Sequence, residues 1–235
     1  MLSGISPGLD NTCRQYCGNL SERLPRDDST CDRGGRHGQV GVSATIIRRR
    51  MLTSTSRADP DDPLTATAFD LRAGAIVLAE FGAPPADPFS IRHRLADLTP
   101  LGTPIRPLPG HLRHLGVLLR CCIDHMAITA EIAQIHDLIG LADELVELVD
   151  IISDSAAHTA EGIVAVNDSI QRQAHAAAVR LRTRGAEATV HRLLARWSAE
   201  TGIDFAQREF ANGLLHVIRS FERVADALTS IDRSP

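Results

Sequence analysis

The chain has no lysine; all 25 of its basic residues are arginine. This reads as the mark of a GC-rich coding sequence rather than a functional choice. Aromatic residues make up only 3% of the sequence, while apolar residues make up 43%. A core built from this chain must therefore be Leu, Ile, Val and Ala, as in helical bundles. No run of 18 apolar residues exists, and the closest, Leu115 to Ile123, is interrupted by Arg120, so no membrane-spanning helix is expected. There is also no basic surplus. The formal charge is -4, which argues against nucleic-acid binding. Neither a Walker loop nor GxGxxG is present, so nucleotide binding has no support. No HExxH occurs among the ten histidines.

The five cysteines are Cys13, Cys17, Cys31, Cys121 and Cys122. Their odd number and the absence of a basic-then-apolar leader predict a reducing, cytoplasmic setting. Cys13, Cys17, Cys31 and His37 offer four zinc-ligand types. Their second pair is poorly spaced for a structural site, and an unstructured segment is the preferred reading. Arg48, Arg49 and Arg50 form a short basic run, read as solvated, with at most peripheral contact with an anionic membrane. Met51 directly after them is a candidate translation start.

Residues 1–62 are rich in Gly, Ser, Arg, Asp and Pro and are expected to be irregular or disordered. A helix is expected over 64–82, and a short one over 88–98 with Asp87 as its cap. Residues 98–110 hold four prolines and two glycines and read as an extended linker. From His111 to Asp137 two apolar rows run side by side. One passes through Leu112, Leu115, Leu119, Cys122 and Met126; the other passes through Leu118, Cys121, Ile128, Ile132 and Ile135. Both are expected to be buried. Gly140 is the expected break. Further helices are predicted over 141–166, over 169–199 with Asn167 or Asp168 as cap, and over 210–231. Thr201 and Gly202 read as the turn between the last two, with Asp204 in the first turn of the final helix.

That final helix has the sharpest pattern. Phe210, Leu214, Val217, Phe221, Val224, Leu228 and Ile231 recur at alternating spacings of four and three, the period of a helix packed along one seam. Glu222 and Asp226 lie off the seam, roughly 100° and 140° around the helix from Phe221. Carboxylates at i and i+4 share a helix face, where they either repel, sit among Arg219 and Arg223 as a solvated face, or jointly hold a cation. A shift of 96 residues lays the 111–137 helix on this one, with Leu118 on Leu214 and Ile128 on Val224.

FERVADALTSI at the end of the chain resembles the LERIGDHAxNI-type signature of the PhoU family, bacterial phosphate-uptake regulators. HLRHLGVLLRCCIDHMAITAEIAQI is similar to that family's preceding repeat. The resemblance covers Pro107 to Ile231. It implies an all-α, up-and-down helical fold of two three-helix repeats: an incomplete first one over 63–137, with a Pro-rich linker at 99–110, and a second over 138–235. It implies a cytoplasmic, non-enzymatic negative regulator of phosphate uptake and phosphate-starvation signalling. The partners implied are the phosphate ABC transporter ATPase, a membrane sensor kinase and a second copy of the chain, with no nucleic acid. It also implies iron, manganese or another divalent metal on Glu222 and Asp226, with Arg223 beside the acidic pair. At the 96-residue shift the first repeat has Met126 and Ala130 in place of those acids. An incomplete first repeat is further expected to leave the 111–137 helix with an exposed apolar face that a partner would cover. The alternatives are a generic helical oligomerisation module without metal, and a small all-α enzyme using carboxylates and histidines in a bundle core.

Overall fold

The computed structural model describes residues 62–83, 86–98, 108, 110–138, 140–199 and 205–231. The expectations for Cys13, Cys17, Cys31 and His37, for Arg48 to Met51, for the Thr201–Gly202 turn and for Asp204 lie outside these residues. So does most of the 99–110 linker. Among the described residues the chain is helical and contains no strand. The helices are α1 (Pro63–Ala79), α2 (Pro88–Leu98), α3 (Gly110–Ile135), α4 (Asp143–Val164), α5 (Ser169–Ala199) and α6 (Phe205–Ser230), with a 3-10 turn over Glu80–Gly82 after α1.

Local chemistry sets the ends of these helices. Asp62 caps α1: its Oδ2 accepts from the Thr65 amide and hydroxyl, both at 2.8 Å, with Pro63 in the first turn. Asp87 does the same for α2, accepting from the Phe89 amide at 3.1 Å ahead of Pro88. Asp168, rather than Asn167, caps α5 by accepting from the amides of Ile170 and Gln171. The end of α3 differs from expectation, because Gly140 does not terminate it. Asp137 adopts φ +45°, the Leu138 amide reaches back to the Ala133 carbonyl, and the Asp137 amide donates to Gln134. This is a Schellman ending in which aspartate takes the usual glycine position and the buried Leu138 closes over the last turn. Gly140 follows, at φ +73°, inside the connection.

Helices adjacent in sequence pack together, except α3 and α4. Their place is taken by α1 against α4 and α3 against α6. The result is two triplets, α1–α2–α3 and α4–α5–α6, joined through one continuous apolar core. Neither α1 with α6 nor α3 with α4 makes an extensive contact. A two-fold relation between the triplets would produce this arrangement.

The seam of α6 is buried as its spacing predicts from Phe210 to Leu228: Phe210, Leu214, Val217, Phe221, Val224 and Leu228 are all 0% exposed, while Ile231, just past the end of the helix, is half-buried. On α3, two expectations are corrected. Of its two rows, the one through Leu112, Leu115, Leu119, Cys122 and Met126 is buried from Leu115 on, with Leu112 half-buried. The other is only half-buried, and Ile135 is 56% exposed. The interior instead takes Ile123, Ala130 and Ala133, which continue the first row around the helix. The apolar face of α3 is also covered more than expected: α1, α2 and α6 all pack on this helix, the first two despite their shortness, and only the half-buried second row stays partly open.

The register between α3 and α6 is 95 residues, not 96. At 95, buried Leu115, Leu119, Cys122, Met126 and Ala130 fall on buried Phe210, Leu214, Val217, Phe221 and Ala225. At 96, half-buried Leu118, Ile128 and Ile132 would fall on fully buried positions. The shift matters for the acids. Met126 and Ala130 are interior residues and not the counterparts of Glu222 and Asp226; Ala127 and Glu131 are.

The close approach of α3 to α6 depends on Gly213. A Cβ there would lie 2.8 Å from Thr129 Oγ1 and 3.0 Å from its Cγ2. Thr129 is buried and β-branched, and its hydroxyl donates to the His125 carbonyl, so it has little room to yield.

Candidate functional site

Three groups of polar side chains are positioned by this fold. The first is the acidic pair of α6. Glu222 and Asp226 face arginines of α5: Asp226 meets Arg180 at 2.8 Å, and Glu222 meets Arg184 at 3.7 Å. One turn further on the polarity reverses, and Arg219 donates to Glu187 at 2.8 Å. The three contacts form an antiparallel ladder between α5 and α6. Hydrogen bonding from Arg219 holds the Glu187 carboxyl below the usual range. Like charges at i and i+4 are thus matched by guanidinium groups on the neighbouring helix. Each carboxylate already faces a cation, so the pair does not fit a divalent metal unless both arginines move. Arg223 is exposed on α6 and forms none of the ladder contacts. The first triplet has a counterpart to one rung: Arg92 of α2 pairs at 3.4 Å with Glu131 of α3, the residue in register with Asp226.

The second group lies where α3 and α6 cross. His125 Nδ1 is 2.7 Å from Ser220 Oγ, and the Ser220 hydroxyl donates to the His216 carbonyl. The direction of the His125–Ser220 hydrogen bond follows the tautomer of the imidazole. His125 and Ser220 are 95 residues apart, so two positions equivalent under the repeat register touch each other, as they must at a two-fold axis. Burial pushes the His125 pKa down to about 4, helped by the charges of His216 and Arg223. His216 is also lowered, by burial and then by Arg219. Asp124, next to this site, pairs with Arg120 at 3.3 Å; burial raises its pKa despite that arginine. Asp124, His125 and Glu131 thus have three separate partners and do not converge on one point.

The third group was not anticipated as a unit. His158 and Glu161 stand one turn apart on α4, and His175 comes from α5. Glu161 Oε2 is 3.5 Å from His158 Nδ1 and 3.3 Å from His175 Nδ1, and the two ring nitrogens are 3.4 Å apart. This is the one cluster among the described residues in which at least three histidine, cysteine or acidic side chains converge closely enough to hold a metal ion. Gly162 makes room for it, because a Cβ there would lie 3.3 Å from the Cβ of His175. Beside it, buried Arg172 donates to the carbonyls of Val166 and Leu228, placing a guanidinium at the C-terminal ends of α4 and α6, where helix dipoles favour positive charge. That contact fixes the start of α5, and with it His175. Burial lowers the His158 pKa, as does nearby Arg182, which is itself paired with Asp154 at 3.8 Å.

The sequence did carry a signal for this cluster. His158 and His175 are equally distant from the middle of the α4–α5 connection, and residues so placed face each other in an antiparallel helix pair. The H-x-x-E spacing of His158 and Glu161 puts both on one face.

No protein-family model matches the chain, and no curated protein matches it. None of the described helices is long and apolar enough to cross a membrane.

Proposed function

We propose that the chain acts by protein contact rather than catalysis, as a regulator of phosphate uptake similar to PhoU family members. On this reading it works in the cytoplasm, as a homodimer, on the phosphate transporter ATPase and a membrane sensor kinase. The observation that carries the reading is the paired-triplet plan. Two groups of three helices share one core, and their third helices bury matching positions at a register of 95 residues. Tandem three-helix repeats are what the resemblance in FERVADALTSI implies, and the incomplete first repeat corresponds to short α1 and α2. The specific link to phosphate rests on that sequence resemblance.

The test is genetic. Deleting the gene from its host should raise alkaline phosphatase activity and phosphate uptake in phosphate-rich medium, and the chain supplied in trans should reverse both. Unchanged levels in the deletion strain would contradict the reading.

One observation favours a second reading, a helical oligomerisation module with no role in phosphate control. On the outer face of α5, Ile170 is 81% and Leu181 77% exposed, and their spacing of three turns places them in line. Light scattering of wild type and Ile170→Glu/Leu181→Glu separates the possibilities. A dimer that the double variant abolishes, together with normal phosphate control in the deletion strain, would support the module.

A further inference from the structure

We propose that His158, Glu161 and His175 form a binding site for one zinc-sized divalent transition-metal ion, with solvent as its fourth ligand. The proposal goes beyond the regulator reading and does not depend on it.

The three ligand atoms form a nearly equilateral triangle with sides of 3.3, 3.4 and 3.5 Å. An ion with tetrahedral bonds of about 2.0–2.1 Å sets its ligands about 3.3–3.4 Å apart. An octahedral ion with bonds of similar length would need them at only about 3 Å. The triangle therefore has the dimensions of one face of a zinc tetrahedron. The ligand chemistry agrees, since two imidazoles and one carboxylate suit zinc and its neighbours rather than magnesium or calcium.

Two further features support a site open to ions. All three side chains are partly exposed, at 29%, 45% and 23% for His158, Glu161 and His175, so solvent reaches the open corner. Arg182 does not compete for Glu161, because it is paired with Asp154. The contrast with α6 is direct: there each carboxylate faces a guanidinium, whereas here one carboxylate faces two imidazole nitrogens. A bound ion would staple α4 to α5 close to their connection.

The probe is cobalt(II), added to the full chain prepared without a histidine tag. Four-coordinate cobalt gives an intense visible d–d spectrum that a six-coordinate ion does not. The expected result is one cobalt per chain with that spectrum, without the near-ultraviolet thiolate charge-transfer band that cysteine ligands would add, and displaced by zinc. His175→Ala and Glu161→Gln should each weaken binding by more than the roughly 10–100-fold typical of losing a second-shell partner. The control is His191→Ala/Glu187→Gln, which removes a His–Glu pair 3.6 Å apart elsewhere on α5 and should leave binding unchanged. A wild-type chain that gives no four-coordinate spectrum would overturn the proposal, however the variants fold. So would affinity equal to wild type in His175→Ala, or a loss of similar size in the control.

Discussion

The first triplet reaches the common core with helices of 17 and 11 residues ahead of α3, whereas the second uses 22 and 31 ahead of α6. Both bury the same positions of their third helix. They differ in what the longer second triplet carries on its flanks. Its α5 runs far enough to build a charge ladder with α6 and, at its other end, to bring His175 against α4. The first triplet retains one rung, Arg92 with Glu131, and nothing comparable to the histidine cluster among its described residues. The interior of the two halves is held alike, while the polar equipment has accumulated on one. Core positions are constrained from several helices at once, and flank positions answer only to one neighbour.

The largest test of this comparison lies in the interior. Met126 and Phe221 occupy equivalent positions at the 95-residue register, and both are fully buried. Phe221→Ala should cost about 3–5 kcal/mol and Met126→Ala about 2–5 kcal/mol. Because the triplets share one core, each variant should unfold in a single denaturant transition. Two separated transitions would split the halves.

Next is pH. His125 is neutral in the fold, with its pKa lowered by burial from the usual 6.5 to about 4. The unfolded chain binds a proton that the folded chain refuses, so stability falls as pH drops from about 6.5 to 4 and then levels off, by roughly 3 kcal/mol in all. Lowered His216 and His158 act in the same direction. Raised Asp124 opposes them at the acid end of this range. Denaturant midpoints across that window should slope steeply for wild type and much less for His125→Gln. Equal slopes would show that the α3–α6 crossing is not where the acid sensitivity resides.

Gly213→Ala tests the closeness of that crossing. Alanine gains up to about 1 kcal/mol of helix propensity, yet overpacking against Thr129 costs about 1–3 kcal/mol. The net effect should be destabilising and should be relieved in Gly213→Ala/Thr129→Ala. A stabilised single variant would mean that the helices can part without cost. The smallest effects belong to the surface pairs. Arg92→Ala and Arg180→Ala should each change stability by only about 0.2–1 kcal/mol, with the Arg180 effect shrinking as salt rises.

The parts of this structure legible in the sequence are those determined within one helix. The four-three spacing from Phe210 identified the buried seam of α6, and Asp87 and Asp168 announced two helix starts. What a single helix cannot reveal is its neighbour. Glu222 and Asp226 stood out because like charges share a face, but their arginines lie on α5, 38 and 46 residues earlier. The histidine cluster was hidden for the same reason, since His175 contributes from across a turn. The repeat register is legible only to within one residue, because Leu and Ile identities match at 96 whereas burial matches at 95, and Met126, Thr129 and Ala130 look unlike the residues whose places they hold. The turn at Asp137 is not legible, because an aspartate in a left-handed conformation carries no mark in the sequence as plain as glycine.

The most direct test of the account is thermal unfolding with and without zinc for three chains: wild type, His158→Ala/His175→Ala and Glu222→Ala/Asp226→Ala. Zinc at 100 times its dissociation constant stabilises the protein that binds it by about 2.7 kcal/mol, or about 5–10 °C for a chain of this size. The account predicts that shift for wild type and for the Glu222/Asp226 variant, and none for the histidine variant. A shift lost on removing Glu222 and Asp226 and kept without His158 and His175 would contradict it.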